Sequence, residues 1–210
     1  MIFKITKDKL IENSYKEGMK ELIDFWQFNW SMNTPDVLIV ESRKDINEIW
    51  GEGTSSQIIG WANHNQIYLL DYNKLETESS LKLSRNGYKA FIKHELCHLF
   101  FKKVSKGASA PKWLKEGLSI YLSGQTKLSQ WKKPIKFQSF IQSNDENKKA
   151  AYEEGGFFIE FLVKKYGKRK ILDLIKSLPK MKSKTSFEEE FKKLYGYELT
   201  YKNINKEYLS

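Results

Sequence analysis

Apolar positions recur at helical spacing along most of this 210-residue chain and at strand-like spacing only in its first third. Over residues 8–30, Leu10, Ile11, Tyr15, Met19, Leu22, Ile23, Trp26 and Trp30 form one stripe among charged positions, which predicts an amphipathic helix with its Trp and Met residues turned to a core. Asn33, Thr34, Pro35 and Asp36 break that pattern, and the β-branched run 37–40 predicts a short strand. Asp45 to Trp50 predicts a single helical turn before Gly51 and Gly53 open a loop. Two further strand-like runs, 57–63 and 66–70, flank His64 and Asn65 and predict a β-hairpin. Residues 71–85 are polar and poorly periodic, a loop with a helical piece.

Helical spacing returns over 86–104, where Tyr88, Ile92, Leu96, Leu99 and Phe100 mark a buried side. A turn at 106–110 leads to a second helix with Pro111 in its first turn and Gly124 as its stop. Residues 125–145 lack periodicity and read as a segment wrapping, or covering, the rim of a cleft. A long helix is expected over 147–166, ended by Gly167. Another runs through Ile171, Leu172, Leu174, Ile175 and Leu178 and is closed by Pro179; Thr185 and Ser186 with Glu188 and Glu189 offer a capping box for a final helix through Leu194. The order predicts an α+β fold in one domain, 1–210. An N-terminal lobe, 1–105, would hold a helix, a small mixed sheet and the 86–104 helix; a helical C-terminal lobe, 106–210, would face it across a cleft.

Composition narrows the class. At 40% hydrophobic and 14% aromatic residues the chain can bury a core and is not disordered. A single cysteine, Cys97, excludes an internal disulfide and reads as a small buried residue, so nothing argues for an oxidising compartment. The net charge of +10 comes mainly from lysines with no arginine-rich block and no nucleic-acid motif, so they read as solvated helix faces and direct nucleic-acid binding is not expected. The first residues contain no apolar h-region and no run approaches the roughly 20 apolar residues of a membrane span, which makes the cytoplasm the expected location. Nothing in the pattern bears on oligomeric state.

The chemistry concentrates in the 86–104 helix. Two of the chain's three histidines, His94 and His98, stand four apart with Glu95 between them, the HExxH spacing. Residues four apart stack on one helix face, so both imidazoles can reach one metal ion, while Glu95 lies about 100° around the axis, beside that ion. A carboxylate there can take a proton from a water on the metal. Glu116, 18 positions after His98 on the second predicted helix, is the candidate third ligand. Two nitrogens and one carboxylate oxygen leave a tetrahedral position open, the pattern of a catalytic zinc. Two other readings stand beside this one: a zinc scaffold that binds without turnover, and a basic nucleic-acid-binding protein with structural zinc.

His94-Glu95-Leu96-Cys97-His98 followed by Trp113-Leu114-Lys115-Glu116-Gly117 resembles the gluzincin branch of zinc metallopeptidases, in particular peptidase MA-like domains whose second helix reads W-L-x-E-G. The resemblance implies a zincin-like fold, one catalytic Zn2+ on His94, His98 and Glu116, Glu95 as general base, and a peptide or protein substrate. Residues 150–167 and 187–196 are similar to two downstream helices of that family, the second ending in Tyr195-Gly196. In the family an edge strand upstream of the metal helix pairs with substrate, and Gly60, Trp61 and Ala62 are its counterpart here; the alternative is an ordinary hairpin. A hydrolase also needs a donor for the developing oxyanion. Tyr152 either serves there or packs between helices, and His64 either helps bind substrate or zinc or, as a lone turn histidine usually does, faces solvent.

Overall fold

The computed structural model describes residues 7–141 and 148–210. The expectations for the first residues, for the end of the irregular segment and for a helix start at Asn147 fall outside them. Two compact units divide the chain, the first ending at Leu99 and the second beginning at Phe100.

In the first unit, α1 (Lys9–Trp26) starts where the Asp8 carboxylate accepts from the N–H groups of Leu10 and Ile11, and it stops at Gln27, which turns left-handed at φ 50°. It is shorter than the apolar stripe. Trp30 lies beyond it and is buried all the same, with its indole N–H on the Asn33 carbonyl at 3.0 Å. Strand β1 (Asp36–Val40) leads to α2 (Arg43–Trp50), about two turns rather than the single turn expected, because the Ser42 cap on the Asp45 N–H starts it ahead of Asp45 and left-handed Gly51 ends it. Strands β2 (Gly60–Asn63) and β3 (Gln66–Leu70) form the expected hairpin, with His64 exposed in the left-handed region at φ 51°. The sheet order is β1-β3-β2, with β1 parallel and β2 antiparallel to β3, so the small sheet is mixed. Its central strand is the most buried, and Ile67, Leu69 and Leu70 are fully enclosed.

A short α3 (Leu75–Glu78) precedes α4 (Arg85–Val104). Ser84 sets the start of α4, its hydroxyl accepting from the Gly87 N–H at 3.1 Å. One turn later the fully buried Tyr88 donates its hydroxyl to the Leu70 carbonyl at 2.7 Å, pinning α4 to the end of β3. Burial raises the Tyr88 phenol well above its ordinary range, so it stays protonated and keeps donating.

The second unit is helical: α5 (Lys112–Ser123), α6 (Lys148–Glu153), α7 (Gly155–Tyr166), α8 (Lys168–Ser177), α9 (Lys184–Tyr195) and α10 (Tyr201–Leu209). Trp113 of α5 is its hub, edge-on to Phe140, Phe158 and Phe187. The helix expected over 147–166 is interrupted at Glu154, whose carboxylate accepts from the N–H groups of Gln138 and Ser139. The start of α9 lies ahead of the predicted box, with Ser183 and Ser186 as the reciprocal cap. The pattern of charges hid α10 altogether. The described part of the 125–145 segment is anchored at two points: Phe137 and Phe140 are buried, and Asn205 clamps Phe137 by donating to its carbonyl and accepting its N–H, at 2.9 and 2.7 Å. Helices and a small mixed sheet make the fold α+β. No helix among the described residues is long and apolar enough to cross a membrane.

Candidate metal centre

The centre is built on α4, in the first unit. His94 and Glu95 are only 6% and 5% exposed, and His98 is half-buried. An acidic side chain is rarely that enclosed unless it has a partner or a task. The four-residue spacing brings the two imidazoles edge to face, centroids 4.7 Å apart at 84°, with their Nε2 atoms 3.0 Å from each other. Ligand atoms of His94, Glu95 and His98 all lie within 4.8 Å of one another.

This separation permits a direct test of fit. Two nitrogens bound to one tetrahedral zinc at about 2.0–2.1 Å would stand about 3.3 Å apart. The observed 3.0 Å is near that value, so the two rings can take a common cation with little movement. Neutral imidazole nitrogens and a carboxylate are also the donor types such an ion accepts.

Surrounding residues hold the first ring in place. Phe91, one turn before His94 on the same helix face, lies nearly parallel to its imidazole at 6.2 Å and 10°. Phe91 in turn sits under the start of β2, where a Cβ on Gly60 would be 2.7 Å from Phe91 Cε1 and 2.5 Å from the Tyr68 carbonyl oxygen. Glycine at position 60 therefore lets the edge strand approach the metal helix closely. On the next turn of α4, Leu96 packs against Gly18 of α1, where an added Cβ would meet Leu96 Cδ1 at 3.2 Å.

A family model of the peptidase MA superfamily matches residues 80–209. The chain belongs to the peptidase MA superfamily. No curated protein and no solved structure matches the chain. The matched span of this peptidase MA domain contains α4, α5 and every later helix, while the hairpin lies upstream of it. Membership makes the chain metallopeptidase-like, and His94, Glu95 and His98 form a group that could hold a metal ion.

The other residues singled out from sequence stand on other elements. Glu116 is half-buried on α5, in the second unit, where its neighbour Gly117 fixes the helix by close packing: a Cβ there would be 2.6 Å from the Gly155 carbonyl oxygen. Tyr152 is half-buried on α6, with the Lys112 ammonium 4.9 Å above its ring. Gly60, Trp61 and Ala62 form β2, at one edge of the sheet. His64 stays in its turn and is not part of the His–Glu–His group. Sequence reasoning passed over Phe91, Ser84 and the Gly117–Gly155 contact. An aromatic residue three positions before the first histidine of the HExxH spacing was a signal within reach for the first of these.

Proposed function

We propose that this peptidase MA domain is a zinc-dependent peptidase. The observation that carries the reading is the pair of Nε2 atoms 3.0 Å apart on buried and half-buried imidazoles, with the carboxylate of Glu95 enclosed beside them. At that distance the rings share either a proton or a cation, and an adjacent buried carboxylate favours the cation. His94 and His98 supply two ligands, and Glu116 of α5 is the third. Bound there, zinc supplies Lewis acidity toward a water and toward the scissile carbonyl. Glu95 accepts the proton of the attacking water and returns it to the departing amine, a task that suits a carboxylate held on the same rigid helix as the ligands. Tyr152 donates to the charge that develops on the attacked carbonyl oxygen, and β2 pairs with the substrate main chain.

Glu95→Gln tests the assignment, because it keeps the shape and removes the base. The substituted chain is expected to bind as much zinc as wild type and to lose cleavage of an unstructured peptide mixture, which a chelator also stops in the wild type. Cleavage that persists in Glu95→Gln removes Glu95 from the mechanism. Zinc binding without wild-type cleavage would make the domain a non-hydrolytic member of its superfamily.

A further inference from the structure

The hairpin register shows which main-chain groups of β2 face outward. Leu70 N–H donates to the Ile59 carbonyl at 2.8 Å, and Trp61 stands opposite Tyr68 two positions further along. Antiparallel pairs alternate between hydrogen-bonded and non-hydrogen-bonded positions, so Ile59, Trp61 and Asn63 direct their N–H and C=O groups into the hairpin. The groups of Gly60 and Ala62 therefore point to the outer edge of the sheet. Among the described residues, no strand pairs along that edge.

The two faces of β2 differ in kind. Gly60 and Ala62 share the face of Ile67 and Leu69, which turns toward Phe91 and, through it, His94. The opposite face carries an aromatic strip. Trp61 stacks on Tyr68 with centroids 4.6 Å apart at 5°, and Trp50 of α2 meets Trp61 edge-on at 5.7 Å and 75°. Trp50 is 44% exposed, one of few large apolar side chains so placed among the described residues. Tyr68 covers the side of Trp61 turned to β3, so a neighbour beyond the edge meets the other side of that ring.

We propose that Trp61 and Trp50 form a side-chain subsite selecting extended peptides with an aromatic or large aliphatic residue at one position. The inference rests on the peptidase reading above for its place in a reaction, and on the register for its geometry. An antiparallel peptide bonded to the outward groups of Gly60 and Ala62 places one residue directly opposite Trp61. That position is a non-hydrogen-bonded pair, where Cα atoms approach to about 4.5 Å and side chains are closest. Residues directly opposite share a face, so this side chain lies on the Trp61 ring with Trp50 beside it, while its two neighbours turn toward Phe91 and the candidate centre. Offset or edge-on packing on two indoles favours a ring or a long aliphatic chain over a small or acidic one.

Binding decides the matter independently of cleavage. Fluorescently labelled seven-residue peptides of Gly, Ser and Ala, each with a single Phe moved through the positions, are titrated by anisotropy against the full chain with zinc, as wild type, Trp61→Ala, Trp61→Phe and Trp50→Ala. One Phe position is expected to tighten wild-type binding about tenfold over the all-small peptide. Trp61→Ala should bring the two within about twofold, Trp61→Phe should keep most of the preference, and Trp50→Ala should weaken it severalfold. Circular dichroism and melting establish that each variant is folded, and the exposed Trp50 keeps the test open if Trp61→Ala is not. Phe peptides that bind no better than the all-small one, or a preference untouched in folded Trp61→Ala or Trp50→Ala, overturn the subsite. A preference seen with no wild-type cleavage of the same peptides would uphold the subsite and overturn the peptidase reading alone.

Discussion

Gly117→Ala is a sharp perturbation of the helix that carries Glu116. The added Cβ would stand 2.6 Å from the oxygen and 2.7 Å from the carbon of the Gly155 carbonyl, and 3.1 Å from Ile159 Cγ1. Favourable contacts lie at about 3.5–4.0 Å, so α5 and α7 must separate by roughly 1 Å, and the obstacle is backbone that cannot rotate aside. Overpacking of this kind costs about 1–3 kcal/mol, and the better helix propensity of alanine offsets about 1 kcal/mol of it. The net loss is up to about 2 kcal/mol, which for a chain of this size lowers Tm by up to about 8 °C. The assay is thermal and urea unfolding, with Gly87→Ala on α4 as the comparison. A Cβ at Gly87 meets nothing nearer than 3.5 Å, so that variant should gain up to about 1 kcal/mol from propensity alone. Because Gly117 adjoins the proposed third ligand, the Gly117→Ala chain should also hold zinc more weakly. A Gly117→Ala protein that melts above wild type, or as high as Gly87→Ala, would refute the close-packing account of this glycine.

Two further predictions concern the second unit. Burial and the Glu207 carboxylate push the Tyr166 phenol up to about 12, and burial raises Tyr195 and Tyr197 further, as it does Tyr88 in the first unit. The folded chain therefore keeps protons that the unfolded chain releases near pH 10, so stability is full below pH 10 and falls as pH rises toward and past 12. Tyrosinate absorbance should lag behind that of free tyrosine and then rise together with unfolding; a simple titration near 10 in a still-folded protein would contradict this. Asn205→Ala removes both main-chain hydrogen bonds to Phe137 and should cost about 1–3 kcal/mol and expose residues 128–141 to limited proteolysis, whereas unchanged stability and cleavage would count against the clamp.

Legibility from sequence followed the strength of the local signal. The HExxH spacing and the periodicity around it located α4 to within a residue, and the hairpin was readable because two apolar runs flank a two-residue polar link. The helix α10 escaped because only Ile204 among its residues is fully buried, and its cap, Thr200 to the Asn203 N–H, sits in a run of polar residues. The interruption at Glu154 was invisible for a different reason. It reflects tertiary demands, the carboxylate serving Gln138 and Ser139 and Gly155 meeting Gly117, and neither partner is near in sequence. Within the 125–145 segment, the anchoring by Phe137 and Phe140 was not legible because aromatic residues buried from a coil have no period to detect, and Phe140 packs against Trp113. At the candidate site, the His–Glu–His grouping was plain from spacing, but the stacking of Phe91 on His94 and the close approach of Gly60 depend on packing that a one-dimensional pattern does not carry.

The central claim is the proposed zinc ion on His94 and His98, with Glu116 as its proposed third ligand. Bound zinc per chain should be measured on purified wild type, His98→Ala and Glu116→Ala after dialysis against a weak chelator. One zinc per wild-type chain, lost in His98→Ala and retained more weakly in Glu116→Ala, is the predicted result. A wild-type chain that binds no zinc, or one whose zinc is unaffected by both substitutions, would contradict it.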